Sequence, residues 1–250
     1  MNCACFCFHG EINFFLPHLQ RHTTIKHPFD WKASIKDMVE SLGVPHCEIE
    51  LLTVNHVAVD FDYIVLPDVQ IDVYAHAIDA PVKAKIALRP PLTGKPSFIL
   101  DTHLGRLASY LRMMGFDTLY RNDYSDDELA LVSNVEQRIL LTRDIGLLKR
   151  SLVIYGRFVR ETNPRQQIIE IMRRYQLLEH VVSFQRCLKC NGELHLVDKD
   201  MILHRLTSTT AAYYDVFHQC MDCEQIYWKG SHYDKMQEFM AEVIDHHSLD

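Results

Sequence analysis

Two CxxC pairs constrain this chain more than any other feature. Cys187-Leu188-Lys189-Cys190 and Cys220-Met221-Asp222-Cys223 stand 29 residues apart. Each pair supplies two thiolates from one knuckle, and four thiolates close a tetrahedron around Zn²⁺. The last quarter of the chain is therefore expected to fold as a zinc ribbon. A redox CxxC needs no matching second pair, and the polar neighbours of both pairs argue against reduced core cysteines. With Cys187, Cys190, Cys220 and Cys223 all as ligands, no coordination position stays open, so this zinc serves folding rather than catalysis. Asn191-Gly192 supplies the tight turn after the first knuckle. The eight cysteines do not otherwise form a disulfide framework. Cys3, Cys5 and Cys7 alternate along one face of a strand, where reduced Cys packs as a small apolar residue in the core.

Upstream of the knuckles the hydrophobic period is that of alternating strands and helices. Phe98-Ile99-Leu100 reads as a buried strand. Leu104, Leu107, Leu111 and Met114 then recur at helical spacing and stop at Gly115. Asp117 to Tyr120 is a second strand. Ser125 with Glu128 forms a capping box that opens a helix through about Val135. Arg138 to Thr142 is a third strand, Ile145 to Arg150 a short helix, and Phe158-Val159-Arg160 a fourth strand. Pro164 sits just inside the start of a long helix. Short connections between such elements mean a parallel sheet with right-handed crossovers, flanked by helices.

Acidic residues gather at the carboxyl edge of that sheet, where open α/β folds place their sites. Asp101 and Asp144 each follow a strand, and Asp126-Asp127-Glu128 opens a helix. Singly, each acid is explained as a helix cap or first-turn residue. Jointly, carboxylates at one edge repel one another unless a cation holds them. Mg²⁺ or Mn²⁺ takes oxygen ligands and activates water for phosphodiester hydrolysis. On this reading Asp101, Asp126 and Asp144 are metal ligands and catalytic, and Glu128 or Asp127 is an auxiliary ligand or orients the water. Arg143, with Arg106 and Arg112 of the first helix, faces the phosphate. The net charge of −7 is unevenly spread: residues 81–183 carry 16 Lys and Arg against 11 Asp and Glu, the only basic stretch. A basic surround for an acidic site suits a nucleic-acid substrate.

The N-terminal eighty residues follow another order. An alternating strand from Cys3 to Phe8 turns at His9-Gly10, and Phe14-Phe15-Leu16 follows. A helix capped by Ser34 stops at Gly43, with Pro45 beyond. Three more strands come after it, with Asn55-His56 as a turn. This is the order of a β-grasp module and looks like the ubiquitin-like sulfur carriers. The chain continues past Ile78-Asp79-Ala80 with no free Gly-Gly tail, so carrier chemistry is not expected; the module docks a protein partner or packs on its neighbour. Residues 79–97 hold four Pro and four Lys or Arg, which favours an extended linker. No apolar run is long enough to span a bilayer and no basic region precedes an apolar stretch at the N-terminus, so a soluble, cytoplasmic protein without membrane contact is expected.

Asp101-Thr102-His103-Leu104-Gly105-Arg106-Leu107-Ala108, Leu111-Arg112-Met113-Met114-Gly115-Phe116-Asp117 and Ile139-Leu140-Leu141-Thr142-Arg143-Asp144 together resemble the PIN-like ribonuclease family named after the C-terminal domain of the Mut-seven exonuclease. Residues 1–80 look like the ubiquitin-like module often fused ahead of it. The resemblance implies a PIN-like α/β fold, divalent-metal RNA cleavage, and ligands at Asp101, Asp126 and Asp144. Ile226 to Tyr233 resembles the family's closing motif; its aromatics, with Lys229 and His232, either stack bases and touch phosphate or form the strand that packs the ribbon on the nuclease sheet. Met236 to Ile244 reads as a last amphipathic helix. The expected domains are a β-grasp module at 1–80, a Pro-rich basic linker at 81–97, a PIN-like nuclease at 98–183, and a four-cysteine ribbon with its helix at 184–250. The alternative to a metal-dependent ribonuclease is a non-catalytic RNA- or protein-binding adaptor that uses the ribbon and the β-grasp module.

Overall fold

The computed structural model describes residues 2–82, 86–230, 233–234 and 237–242. The chain forms two compact units: Met1–Leu92 with Asp144–Phe158, and Thr93–Arg143 with Val159–Asp250.

In the first unit, β1 (Asn2–His9) and β2 (Ile25–Phe29) form an antiparallel pair, followed by α1 (Ile35–Ser41), β3 (Leu51–Val54), β4 (Val57–Val59) and β5 (Gln70–Tyr74). The sheet order is β2-β1-β5-β3-β4, with β1 and β5 parallel. That is a β-grasp sheet curled around one helix. Ser34 caps α1 by accepting from the Asp37 N–H, and Gly43 ends the helix region with φ +111°. Asn55 and His56 both take positive φ, as a two-residue hairpin turn between β3 and β4 requires. Phe6, Phe8, Ile12, Ile35, Val39, Ile71 and Val73 fill the core. Each such side chain contributes roughly 1.5–3 kcal/mol by leaving water.

This unit holds one strand that the sequence pattern does not announce and one face that it announces wrongly. The partner of β1 is Ile25–Phe29, whereas Phe14 and Phe15 lie in a 3₁₀ turn, Gly10–Phe15. Pro28 disguises β2 as a non-strand, but β2 is an edge strand, where a missing N–H is tolerated. The alternation along β1 is correct and its inner face is reversed. Ala4, Phe6 and Phe8 are buried, while Cys3, Cys5 and Cys7 stay half-buried on the other face, because phenylalanine has more apolar area to bury than cysteine.

The second unit is built on parallel strands in the order β7-β6-β8: β6 (Phe98–Leu100) lies between β7 (Thr118–Tyr120) and β8 (Ile139–Thr142). α2 (Gly105–Met113) packs on β7, α3 (Asp126–Val135) on β6 and β8, and α2 also meets α5 (Pro164–Arg174). Between them in sequence, α4 (Ile145–Leu148) and β9 (Gly156–Phe158) belong to the first unit. β9 thus starts two residues earlier than the fourth strand expected at Phe158. The α3 capping box forms as read, with Ser125 accepting from the Glu128 N–H and Glu128 reaching back to the Ser125 N–H. Gly115, φ +86°, stops α2 at a point where any Cβ would lie 2.0 Å from the Val182 carbonyl oxygen. Only glycine fits there.

The C-terminal part adds a three-stranded antiparallel sheet, β10 (Leu194–Val197), β11 (Phe217–Cys220) and β12 (Ile226–Trp228), with two short helices, α6 (Lys199–Ile202) and α7 (Ser208–Tyr213), inserted between β10 and β11. Residues 237–242 are helical; Met236, Val243 and Ile244 of the expected last helix, and Ser231 and His232 of the closing motif, lie outside the described residues. Among the described residues no helix is long and apolar enough to cross a membrane.

Candidate functional site

The parallel register fixes the carboxyl edge of the sheet. Leu100 stands opposite Tyr120 on one side and Leu141 on the other, so Asp101, Arg121 and Thr142 emerge at one level. Asp101 is held there rigidly. Its N–H donates to the Leu141 carbonyl at 3.0 Å. Its Oδ2 accepts from the Thr142 hydroxyl at 2.6 Å, and its Oδ1 from the Thr102 N–H at 2.6 Å. Thr142 itself is fully buried, so a short side chain inside the sheet aims the carboxylate outward. The chain then bends through His103, which holds φ +69° without being glycine; such a backbone costs energy and is found most often at functional loops.

Asp126 and Asp127 are exposed in the first turn of α3. Glu128 is committed to the capping box: its Oε2 accepts from both the N–H and the hydroxyl of Ser125 at 2.9 Å. Arg121, which the sequence reading passed over, organises this loop. It pairs with Asp123 at 2.9 Å and approaches Glu128 at 3.6 Å, and its guanidinium stacks over the Tyr124 ring. Its position directly after a strand was the available signal.

Asp144, exposed, caps α4 and accepts from the N–H groups of Gly146 at 2.6 Å and Leu147 at 3.2 Å. It belongs to the first unit, Asp101 and Asp126 to the second. Arg106 is exposed in the first turn of α2. Arg143 is exposed, and its guanidinium donates to the carbonyls of Val159, Arg160 and Glu161 at 2.7–3.0 Å, tying that loop to the end of β8.

Arg112 is a correction. It is 5% exposed, and its guanidinium donates to the carbonyls of Thr118, Leu188 and Lys189. It clamps the first cysteine knuckle and is not turned toward a substrate. Burial lowers its pKa, against the opposing pull of the nearby thiols. Asn191 works beside it: its carbonyl oxygen accepts from the Thr118 N–H at 2.8 Å, and its amide donates to Asp117 at 2.7 Å. Asp117 in turn receives a two-pronged contact from Arg138 at 2.7 and 3.1 Å. Nothing in residue type separates Arg112 from a phosphate-binding arginine. Its inward position on α2, next to Leu111, was the only hint.

The knuckles converge. The Sγ atoms of Cys187, Cys190, Cys220 and Cys223 all lie within 4.8 Å of one another, and among the described residues this is the one such grouping of three or more His, Cys, Asp or Glu. The Cys187–Cys223 and Cys190–Cys220 separations are 3.6 and 3.4 Å, close to the edge of about 3.8 Å in a tetrahedron with metal–sulfur bonds of about 2.3 Å. The cluster can hold a structural metal such as zinc. Burial raises the Cys187 thiol, but the Tyr227 hydroxyl at 3.1 Å and the N–H groups of Cys190 and Lys189 outweigh it and bring it down to about 7. Tyr227 also accepts from the Leu188 N–H at 3.1 Å. Ile226-Tyr227-Trp228 is the third ribbon strand, with the Trp228 ring 6.2 Å from Phe217.

The profile of the family described as Mut7-C RNAse domain matches residues 96–240, more than half of the chain, and that of Mut7-C ubiquitin matches residues 1–79. The chain belongs to the Mut7-C RNAse domain family. The Mut7-C match takes in all three aspartates and all four cysteines, and it runs across residues 144–158, which pack in the first unit. No curated protein and no solved structure matches the chain.

Proposed function

We propose that the protein is a divalent-metal-dependent ribonuclease that hydrolyses RNA phosphodiester bonds at the acidic edge. The observation that carries this reading is Asp101: a carboxylate at the carboxyl end of the central strand, fixed on both oxygens by Thr102 and Thr142, in a chain of the Mut7-C RNAse domain family. The donors fit a hard cation, since all are carboxylate oxygens on exposed or half-buried residues. Asp101, Asp126 and Asp144 would hold Mg²⁺ or Mn²⁺. When bound, the cation activates water and offsets negative charge on the leaving oxygen. Thr142 and Thr102 keep Asp101 oriented. The amides of Gly146 and Leu147 do the same for Asp144. Glu128 is occupied by its cap, which leaves the exposed Asp126, at the first position of α3, with Asp127 beside it, for the ligand of the acidic cluster. Arg106 and Arg121 supply positive charge for the RNA backbone, and Arg143 fixes the loop beside it. The four cysteines hold Zn²⁺.

The test is cleavage of end-labelled single-stranded and structured RNA by the wild type and by Asp144→Asn, with Mn²⁺, Mg²⁺ or EDTA. Metal-dependent cutting that is lost in the variant, at unchanged zinc content, supports the reading. RNA binding without cutting by either protein moves the assignment to an adaptor. Equal cutting by both overturns the site.

A further inference from the structure

The four-residue helix capped by Asp144 is anchored at its other end on the β-grasp module. The Cys47 thiol donates to the carbonyl of Leu148, the last residue of α4, at 3.5 Å. Lys149, next in the chain, donates from Nζ to the carbonyl of Glu40 in α1 at 2.6 Å. The segment that follows is pinned at several more points. Gly156 lies so close that a Cβ would stand 2.9 Å from the Cys47 sulfur. Arg89, upstream of the second unit, donates to the carbonyls of Cys47, Ile49 and Ile154. Arg157 inserts between two carboxylates, reaching Glu11 at 2.7 and 2.9 Å and Glu48 at 2.6 Å. Its side chain is 3% exposed and that of Glu48 is fully buried. Glu48 also accepts from the Phe158 N–H at 2.6 Å, and the Phe158 ring meets those of Phe14 and Phe15.

We propose that the ubiquitin-like module is a working part of the nuclease: it positions Asp144 by holding α4 and the segment to Phe158 from behind. The proposal rests on the reading of Asp144 as a metal ligand. A module whose task was only to dock a partner has no need to bury an arginine from a segment that lies inside the RNAse match. The buried Arg157–Glu48 pair, with half-buried Glu11 on its other side, fixes geometry, because either charge of that pair left alone in the interior is strongly disfavoured. α4 is one turn long, so its C-terminal anchor lies about 6 Å from its capped N-terminus. A shift at Leu148 or Lys149 is therefore delivered almost undiminished to the Asp144 carboxylate. Lys149 and Arg157 are positioning residues on this account, remote from the reacting atoms.

The experiment uses the full chain with Lys149→Met, Arg157→Ala and Arg157→Lys, against wild type and Asp144→Asn. It measures amide hydrogen exchange at Gly146 and Leu147, the Mn²⁺ concentration that half-saturates binding, RNA cleavage, and zinc content. The expected result is exchange at those two amides accelerated tenfold or more, and a half-saturating Mn²⁺ concentration raised about tenfold, as loss of a supporting contact does at metal sites. Cleavage falls in parallel, while zinc content and exchange in β6 and β8 stay unchanged. Arg157→Lys, which keeps the charge but bridges two carboxylates poorly, falls between. If Arg157→Ala does not fold, Lys149→Met carries the test, since it removes a single contact to a backbone carbonyl. Folded variants with fast exchange at Gly146 and Leu147 but wild-type Mn²⁺ affinity and cleavage overturn the proposal. Cleavage that survives Asp144→Asn overturns the site reading instead, and the two failures are told apart by that one protein.

Discussion

The cysteine cluster and the proposed acidic site differ in how their candidate ligands are held. At the cluster, two knuckles of four residues bring their ligands together locally, and Arg112, Asn191 and Tyr227 lock the first knuckle through buried hydrogen bonds. At the edge, each carboxylate comes from a different segment, and each is restrained mainly by its own neighbours: Asp101 by Thr102 and Thr142, Asp144 by two amides of its own helix. A closed thiolate cage stabilises the fold when filled. Exposed carboxylates, as proposed for the acidic site, would leave room for water and phosphate. The difference teaches that a cage closed by its own ligands needs no access, whereas a site for water and phosphate needs ligands that are both fixed and exposed.

Substitutions separate the two. Asp101→Asn is expected to reduce RNA cleavage by roughly 100-fold or more, beyond what loss of a supporting contact costs, with zinc content and melting temperature near wild type; a variant that loses zinc instead merges the two sites and breaks the comparison. Cys220→Ser is the converse. It should release zinc and cost several kcal/mol, because metal binding at such sites is folding free energy, read as an early melting transition that EDTA reproduces in the wild type. Arg112→Met leaves the carbonyls of Leu188 and Lys189 without their donor. A loss of about 2–3 kcal/mol follows, and denaturant unfolding with a zinc indicator should show the metal leaving earlier. If Arg112→Met reduces RNA affinity with no change in stability, the clamp assignment is wrong.

The acid limb sharpens the contrast further. Burial raises Asp117, and the hydrogen bonds from Arg138 and Asn191 outweigh it, so its folded pKa lies below the usual carboxylate value. Its contribution is therefore present above the unfolded value of about 4 and is lost as pH falls through the lower folded one. Stability-versus-pH curves of wild type and Asp117→Asn should differ by a constant amount above about pH 4 and converge as pH falls from there through the lower folded value. The smallest effect is at the α3 cap. Ser125→Ala should cost about 1 kcal/mol and weaken cleavage only as far as Asp126 shifts; a large cleavage defect at that modest cost identifies the start of α3 as the more sensitive half of the edge.

Much of this was legible from residue order, and the failures have physical causes. Ser34, Ser125 and Asn55-His56 act within three residues of themselves, so their caps and turns could be read directly. The knuckles are equally local. β2 was missed because an edge strand tolerates Pro28 and needs no clear alternation. The inner face of β1 was misread because both faces are apolar, and only relative size decides between Phe and Cys. Arg112 was misplaced because an amphipathic helix does not declare whether a long cation at its margin turns inward or out. The grouping of residues 144–158 with the N-terminal module was invisible, since Arg157 finds Glu11 and Glu48 across more than a hundred residues.

That grouping also sets an order of events during synthesis. The first unit is discontinuous, so its β-grasp sheet is available early, but Glu48 is buried against an arginine that leaves the ribosome more than a hundred residues later. Until then a carboxylate meant for the interior has no cation there, and the module must keep that end open to water. The intervening residues 93–143 emerge as an insertion within a half-built neighbour. Closure of so long a loop is entropically slow relative to local structure, which places the docking of residues 144–158 after the β-grasp sheet itself has formed.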